Sequence, residues 1–428
     1  MRQLTRNALI LLAATLAAAC GSDDHSTGPH TGGSLTVTVT APGGIIPAVT
    51  VTGPANYRQT VTATQTLTGL AAGSYTVTAA NVTTSDPVVP SVDSALITGS
   101  PATVGTTAAT ATVTYGPRVA GSGALWVTNG NVAGAAGFAG SQLHASGSPT
   151  ATYTLAAGSA PLGIAVDAAG DLWLSDLVNN KVMEFTPAQL VGGGTPTATV
   201  TLSGAALNRP QGLAFDASGN LWVANKVANT VVEYAASQLT ATGTPTPTVT
   251  LTAATGVGPA ALAFDAQGNL WVGNFYGNTV VEYPASQLAN SSATPTVTLG
   301  STANSLAGPF VMAFDTAGSL WVGNANGTAV TVVGYSASQL TTSANPVPFS
   351  TLYTPTSGAS PAVPYGLAFD ASGQLWVSDA LNSELYAYTA SQIAAGGSPT
   401  PTVTITSSTL SGTGGIAFDP HTTALPLH

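Results

Sequence analysis

The sequence predicts an all-β fold: a six-bladed β-propeller with 3+1 strand closure, preceded by a small β-sandwich domain. Three observations carry this reading. All six tryptophans, Trp126, Trp173, Trp222, Trp271, Trp321 and Trp376, stand in Leu-Trp-Val or Leu-Trp-Leu triplets spaced 47, 49, 49, 50 and 55 residues apart. Apolar residues elsewhere alternate with Thr and Ser, as in the TVTVT run near the N-terminus, which is the period-two pattern of strands. The first and last repeats are incomplete in complementary ways. A fixed period near fifty residues, with four strands per repeat, is the signature of a propeller.

One full repeat shows the elements. Gly212 to Asp216 reads as strand a, and Ala217-Ser218-Gly219 as its turn, with Gly supplying positive φ. Asn220 to Ala224 is strand b, Thr230 to Tyr234 strand c and Pro245 to Leu251 strand d. Ala236-Ser237-Gln238-Leu239 is a single helical turn between c and d. Leu221, Trp222 and Val223 are consecutively apolar because neighbouring sheets cover both faces. The first repeat lacks strand a and begins at Ala124-Leu125-Trp126-Val127, whereas the last stops after Gly415-Ile416-Ala417-Phe418-Asp419. The C-terminal strand therefore completes the first sheet. Residues 421–428 have no place in the repeat, although the propeller domain is bounded as 124–428.

Residues 1–19 read as a secretory signal, with Arg2 and Arg6 ahead of the apolar run Ala8 to Leu16. Cys20 is the sole cysteine, so no intramolecular disulfide forms. Residues 20–33 are polar and Gly-rich, a flexible tether in which His25 and His30 are plain linker. Residues 34–116 form the sandwich, with strands expected at 34–41, 47–53, 59–68, 73–80 and 105–115, and 117–123 a linker.

Charge excludes several partners. Without the signal, five Lys and Arg face 17 Asp and Glu. A chain this poor in cations neutralises few phosphates, so nucleic acid is not an expected partner, nor is an anionic membrane surface. No apolar run past the N-terminus approaches the roughly 20 residues of a spanning helix. A monomer is expected.

Several motifs resemble known families. Leu16-Ala17-Ala18-Ala19-Cys20 resembles the end of a bacterial lipoprotein signal, which implies cleavage before Cys20, its lipidation and anchoring in a membrane. Gly21, where an Asp in that family signals inner-membrane retention, implies the outer membrane. The run Leu67 to Val77, with Gly73, Tyr75 and Val77, resembles a corner of the carboxypeptidase-regulatory-like and PEGA-type sandwiches, which implies a spacer. Pro161-Leu162-Gly163-Ile164-Ala165-Val166-Asp167 followed by Leu172-Trp173-Leu174 resembles the NHL-repeat and streptogramin-lyase-like propellers over residues 124–420. Streptogramin lyases use a His and acidic partners near the channel. Here the propeller holds only His144, His421 and His428, none in an a–b–c motif. The gluconolactonase propellers bind a divalent metal through Glu, Asn and Asp, and no Glu stands near a strand-a start here.

The expected function is therefore non-enzymatic: a cell-envelope lipoprotein whose propeller is a binding or scaffold module for a protein, glycan or small molecule. No catalytic residue, metal or cofactor is expected. The alternatives are a lyase or lactonase of the propeller type and a purely structural envelope protein. The ring Asp167, Asp216, Asp265, Asp315, Asp370 and Asp419 precedes Gly-containing turns and reads as turn chemistry, as does the ring Asn129, Asp176, Asn225, Asn274, Asn324 and Asp379. Glu184, Glu233 and Glu282 share one strand-c position and read as a solvated outer edge. Positions where the repeats disagree are free to serve function. After the strand-a Pro stand Leu162, Gln211, Ala260, Phe310 and Tyr365, and the b–c loops carry Lys226, Phe275 and Tyr276. A ligand site is expected on this face, with Arg209, Gln211, Phe275, Tyr276, Phe310 and Tyr365 at its mouth.

Overall fold

A computed structural model describes residues 32–40, 47–80, 82–83, 92–105, 108–117, 124–300, 305–326, 330–357, 360–370 and 372–418. The signal, Cys20, most of the tether, residues 118–123, Asp419 and the tail lie outside the described residues.

The alternating Thr/Val segments near the N-terminus form two sheets that share one core. One has strand order Gln65–Leu70, Gly33–Thr40, Ala109–Pro117, Val92–Thr98, Val82–Thr83, and the other Tyr57–Val61, Ala48–Gly53, Gly73–Ala80, Ala102–Val104. Leu35, Val37, Val49, Val51, Tyr75, Val77 and Val113 fill the space between them. Tyr75 and Val77 do share the buried face, and the Tyr75 hydroxyl donates to the Ala71 carbonyl at 3.1 Å. The strand expected over 59–68 is two, broken at Thr62-Ala63-Thr64, where no Gly or Pro announced a turn. The strands Val92–Thr98 and Ala102–Val104 were not anticipated, because the Asp-Ser pair at 93–94 interrupts the period-two pattern. The strand expected at 105–115 begins at Ala109.

Beyond residue 124 the chain is all-β and propeller-like, built of four-stranded antiparallel sheets. The third repeat is typical, with strands a to d at Pro210–Phe215, Leu221–Asn225, Thr230–Tyr234 and Val249–Thr252. Strand d starts later than expected, since Pro245 and Pro247 have no N–H to give to the ladder. The expected helical turn is a 3-10 turn at Ala236–Gln238 and a short α-helix at Pro187–Gly192 and Ala390–Ala395. Its Gln fixes it: Gln238 Oε1 accepts the Ala235 N–H at 2.9 Å and Nε2 donates to the Thr246 carbonyl at 2.7 Å.

The N- and C-terminal fragments meet in one sheet of order Tyr153–Leu155, Gly134–Phe138, Leu125–Asn129, Thr413–Phe418. The a strands touch in cyclic order: 161–166 against 210–215, then 259–264, 309–314, 364–369, 413–418 and back to 161–166. The outer rim is joined across the same seam, where the Gly147 N–H donates to the Thr404 carbonyl at 3.0 Å.

Five of the six Trp residues lock their sheets internally and to a neighbour. Each is buried. Trp222 Nε1 donates to Asp216 Oδ2 at 3.2 Å, and Trp173, Trp271, Trp321 and Trp376 do the same to Asp167, Asp265, Asp315 and Asp370 at 2.9–3.1 Å. The Asp216 Oδ1 also accepts the N–H groups of Ser218 and Asn220, at 2.9 and 3.0 Å. These carboxylates close turns and anchor indoles. Across the sheets, Trp173, Trp222, Trp271, Trp321 and Trp376 meet Phe215, Phe264, Phe314, Phe369 and Phe418 edge-on, with centroids 5.9–6.4 Å apart.

Glu184, Glu233 and Glu282 are not a solvated edge. They are 7%, 7% and 9% exposed, because strand d covers strand c and each Glu pairs in register with a Trp. Where strand c instead carries Gly137 or Gly334, a Cβ would stand 3.0 Å from the Trp126 or Trp321 ring. There an aromatic from the outer strand covers the indole: Tyr153 stacks on Trp126 and Phe349 meets Trp321 edge-on.

Candidate functional site at the loop-bearing end of the ring

The a strands carry a shared irregularity that positions the site. In the third repeat Pro210 pairs with Asn225 and Leu213 with Val223, so Gln211 and Gly212 face a single residue of strand b. In the next three repeats the pairing shifts likewise after Pro259, Pro309 and Pro364, which leaves Ala260, Phe310 and Tyr365 as the extra residues. A bulge takes a residue out of the ladder and re-aims its side chain. The positions that vary between repeats are therefore the bulged ones. Hydroxyls on neighbouring b strands hold this backbone: Ser175 Oγ donates to the Gln211 carbonyl at 2.8 Å and Thr128 Oγ1 to the Leu162 carbonyl at 2.9 Å.

Four of the six expected residues form one aromatic array. Phe310 and Tyr365 are stacked, with centroids 4.1 Å apart and planes 27° from parallel. Phe275 meets Phe310 edge-on at 5.8 Å and Tyr276 at 5.1 Å. Phe310 is buried, Phe275 and Tyr365 are half-buried, and Tyr276 is 58% exposed. The rings fit because their neighbours are glycines: a Cβ on Gly258 would stand 2.5 Å from the Tyr276 ring, and one on Gly308 3.0 Å from Phe275.

The centre of the array is Lys226, a residue the sequence marked as variable without placing it in the site. Its Nζ lies 3.4, 4.9 and 5.4 Å from the Phe275, Tyr276 and Phe310 centroids. Burial, followed by the nearby Arg209 charge, pushes the ammonium down to about 8. Arg209 itself is exposed and has φ +53°. It donates its N–H to Asn180 Oδ1 at 2.7 Å, the same link by which Gly258 and Gly308 bond Asn229 and Asn278. Gln211 occupies the bulge one repeat away from Ala260 and meets none of these rings. It is 6% exposed, and its Oε1 has no partner among the described residues.

In the buried polar ring below the loops, Asn225 and Asp176 hold loop backbone, whereas the Asn274 Oδ1 is buried without a partner among the described residues. Asn225 Oδ1 accepts the Asn208 N–H at 3.0 Å and its Nδ2 donates to the Ala206 carbonyl at 3.0 Å, tying the b–c loop to the d–a loop. Asp176 accepts N–H groups from Ser159, Val178 and Asn179 at 2.8–3.1 Å. Burial pushes its carboxyl up, but the Asn179 side-chain amide, which donates to Oδ2 at 2.8 Å, and those backbone bonds outweigh burial and leave it below the ordinary value.

At the opposite end lies a carboxyl pair the sequence did not reveal. Asp171 takes the position filled by Asn220 and Asn269 in the following repeats, and it hydrogen-bonds Glu184. Burial, then the Asp167 charge, pushes Asp171 up to about 6. Burial, then the Asp171 and Asp167 charges, pushes Glu184 up to about 7. His144 is exposed after its helical turn, whereas His421, His428 and Cys20 fall outside the described residues. Among the described residues no group of three or more His, Cys, Asp or Glu is placed to hold a metal, and no helix is long and apolar enough to cross a membrane.

No protein-family model matches the chain, and no curated protein does. Solved structures do resemble it. A streptogramin B lyase superposes with TM-score 0.38 and 14% identity over 54% of this chain, which thus spans 66% of that one. A Bacteroides caccae protein of unknown function gives TM-score 0.49 and 12% identity over 69% of this chain and 98% of its own. A chain of a nidogen/laminin complex gives 0.48 and 13% over 69% and 98%.

Proposed function

We propose that this protein is a non-enzymatic binding lipoprotein of the cell envelope, with its ligand site at the loop-bearing mouth of a six-bladed propeller. The cyclic contacts of the a strands and the pairing of 125–129 with 413–418 support six blades closed by a 3+1 splice. The two N-terminal sheets serve as a sandwich spacer, and lipidated Cys20 anchors the chain to the outer membrane.

The carrying observation is convergence. The repeats differ at the bulged residue and in the b–c loop, and several of those differences assemble into one cluster of Lys226, Phe275, Tyr276, Phe310 and Tyr365. Drift has no reason to collect aromatic residues around a cation at one mouth, and aromatic side chains are enriched where proteins bind partners.

A glycan and metabolite screen by thermal shift, run on the wild type and on Tyr276→Ala, tests the reading. Ligands that stabilise the first and not the second are expected. A blank screen, or a robust turnover abolished by a mouth substitution, overturns it. Cys20→Ser should move the protein out of the membrane fraction, and continued tight association refutes the anchor.

A further inference from the structure

The class of ligand follows from the charge and hydrogen-bonding demands of this cluster, on the premise that the mouth is the binding site. We propose that it takes an acidic saccharide of the uronate type: the carboxylate between Lys226 and Arg209, a sugar face on the open Tyr276 ring, and a hydroxyl donated to Gln211.

Charge is segregated along the ring axis. Residues 124–418 hold three basic residues, Lys181, Arg209 and Lys226, and all three stand in or beside the loops at the mouth. The same span holds 12 acidic residues, of which only Asp176, Asp379 and Glu384 lie at this end. Asp176 and Asp379 are fully buried and occupied by loop N–H groups, and Glu384 accepts the Tyr386 hydroxyl at 2.6 Å. Among the described residues neither Lys226 nor Arg209 is paired with a carboxylate. Two neighbouring cations without a counter-ion, in an otherwise acidic molecule, attract an anion and repel each other without one.

The backbone at Arg209 points the same way. Its left-handed conformation is filled by Gly258, Gly308 and Gly412 at the equivalent positions of other repeats. A non-Gly residue there is strained, and strain kept against an available glycine marks a side chain with a task.

Gln211 narrows the chemistry further. Its buried, unpartnered Oε1 needs a donor, which an ionised carboxylate does not supply. A ligand that carries O–H or N–H groups beside its negative charge satisfies this oxygen. The rings decide its shape. Tyr276 is 58% exposed and stands at 87° to Phe275, whose face is taken by the Lys226 ammonium, so an occupant lies against the single open face of Tyr276 with its edges still in water. A pyranose ring has such a C–H face and hydrated hydroxyl edges, whereas an aromatic acid gains most from a closed pocket.

Isothermal titration of the full-length protein in detergent with trigalacturonate, maltotriose and 4-hydroxybenzoate tests this. Trigalacturonate is expected to bind one per chain, at least about tenfold more tightly than either other probe, and to weaken as salt rises, as screened charge pairs do. Lys226→Gln and Tyr276→Ala should each weaken it about tenfold, with unfolding midpoints recorded to show that both fold. The salt series on the wild type needs no variant. Equal or tighter binding of maltotriose or 4-hydroxybenzoate, salt-insensitive binding, or full affinity in folded Lys226→Gln overturns the proposal. If trigalacturonate fails while the screen above yields a ligand lost in Tyr276→Ala, the saccharide class falls and the binding reading stands. If both are blank, both fall.

Discussion

The Nζ of Lys226 stands 3.4 Å from the centre of the Phe275 ring, across the boundary between two repeats. Attraction to the ring face offsets part of the cost of burying the ammonium, but the nearby Arg209 adds repulsion. The folded-state pKa of about 8 lies below the ordinary 10.5. Between those values the unfolded chain binds more protons, so the native state gains stability as pH rises through this window. Lys226→Met keeps a flexible apolar contact with Phe275. It should raise the unfolding midpoint at pH 7 and abolish the rise between pH 8 and 10.5, measured by urea denaturation at a series of pH values.

Arg209→Gly should behave as a trade of stability against binding. Glycine relieves the φ of +53° at this position, a gain of about 1 kcal/mol. The same change removes one of the two unpaired cations of the mouth. The expected outcome is a higher denaturation midpoint together with weaker anion binding. A loss of stability would show that the guanidinium holds the d–a loop in place.

The carboxyl pair at the far end should make the protein more stable in mild acid. Glu184 and Asp171 are raised to about 7 and about 6, above the ordinary 4.5 and 3.8. The folded state therefore binds more protons, and the stability this contributes is full near pH 4 and lost as pH rises through 6 and 7. Asp171→Asn copies Asn220 and Asn269 and removes one of the repelling charges. It should raise the melting temperature at pH 7.5 and flatten the dependence between pH 5 and 7.5. An unchanged pH profile would sink this account.

Deleting residues 413–428 tests the seam. The strand Thr413–Phe418 pairs with Leu125–Asn129, and Phe418 packs on Trp376 of the preceding sheet. Its removal leaves the Leu125–Asn129 edge unpaired and strips an aromatic contact from a buried Trp. Loss of cooperative unfolding is expected by circular dichroism, with aggregation through the uncovered edge. Retention of a single wild-type transition would show that the ring does not depend on this strand.

Much of the arrangement was legible in the chain because it is local and repeated. The a–b–c strands, the Asp turns and the complementary ends needed only periodicity, since every sheet solves the same packing problem. The Gly-x-Tyr-x-Val corner gave the buried face of Tyr75 and Val77 for the same reason. Four of the repeat differences expected at the mouth, Phe275, Tyr276, Phe310 and Tyr365, proved to be neighbours, as their shared place in the repeat suggested.

Other features required three dimensions. Glu184, Glu233 and Glu282 look like an exposed stripe in one dimension, but strand d closes over them. Lys226 looked like one variable loop residue, and only the fold set it over Phe275 from the next repeat. Asp171 and Glu184 are 13 positions apart in the chain, and their shared burial appears only when strands b and c are paired. The sequence by itself determined the unit and how often it recurs, because backbone geometry and alternation act over a few residues. The tertiary structure decided which repeat differences meet and which charges are buried, because those depend on contacts between sheets that no local pattern encodes.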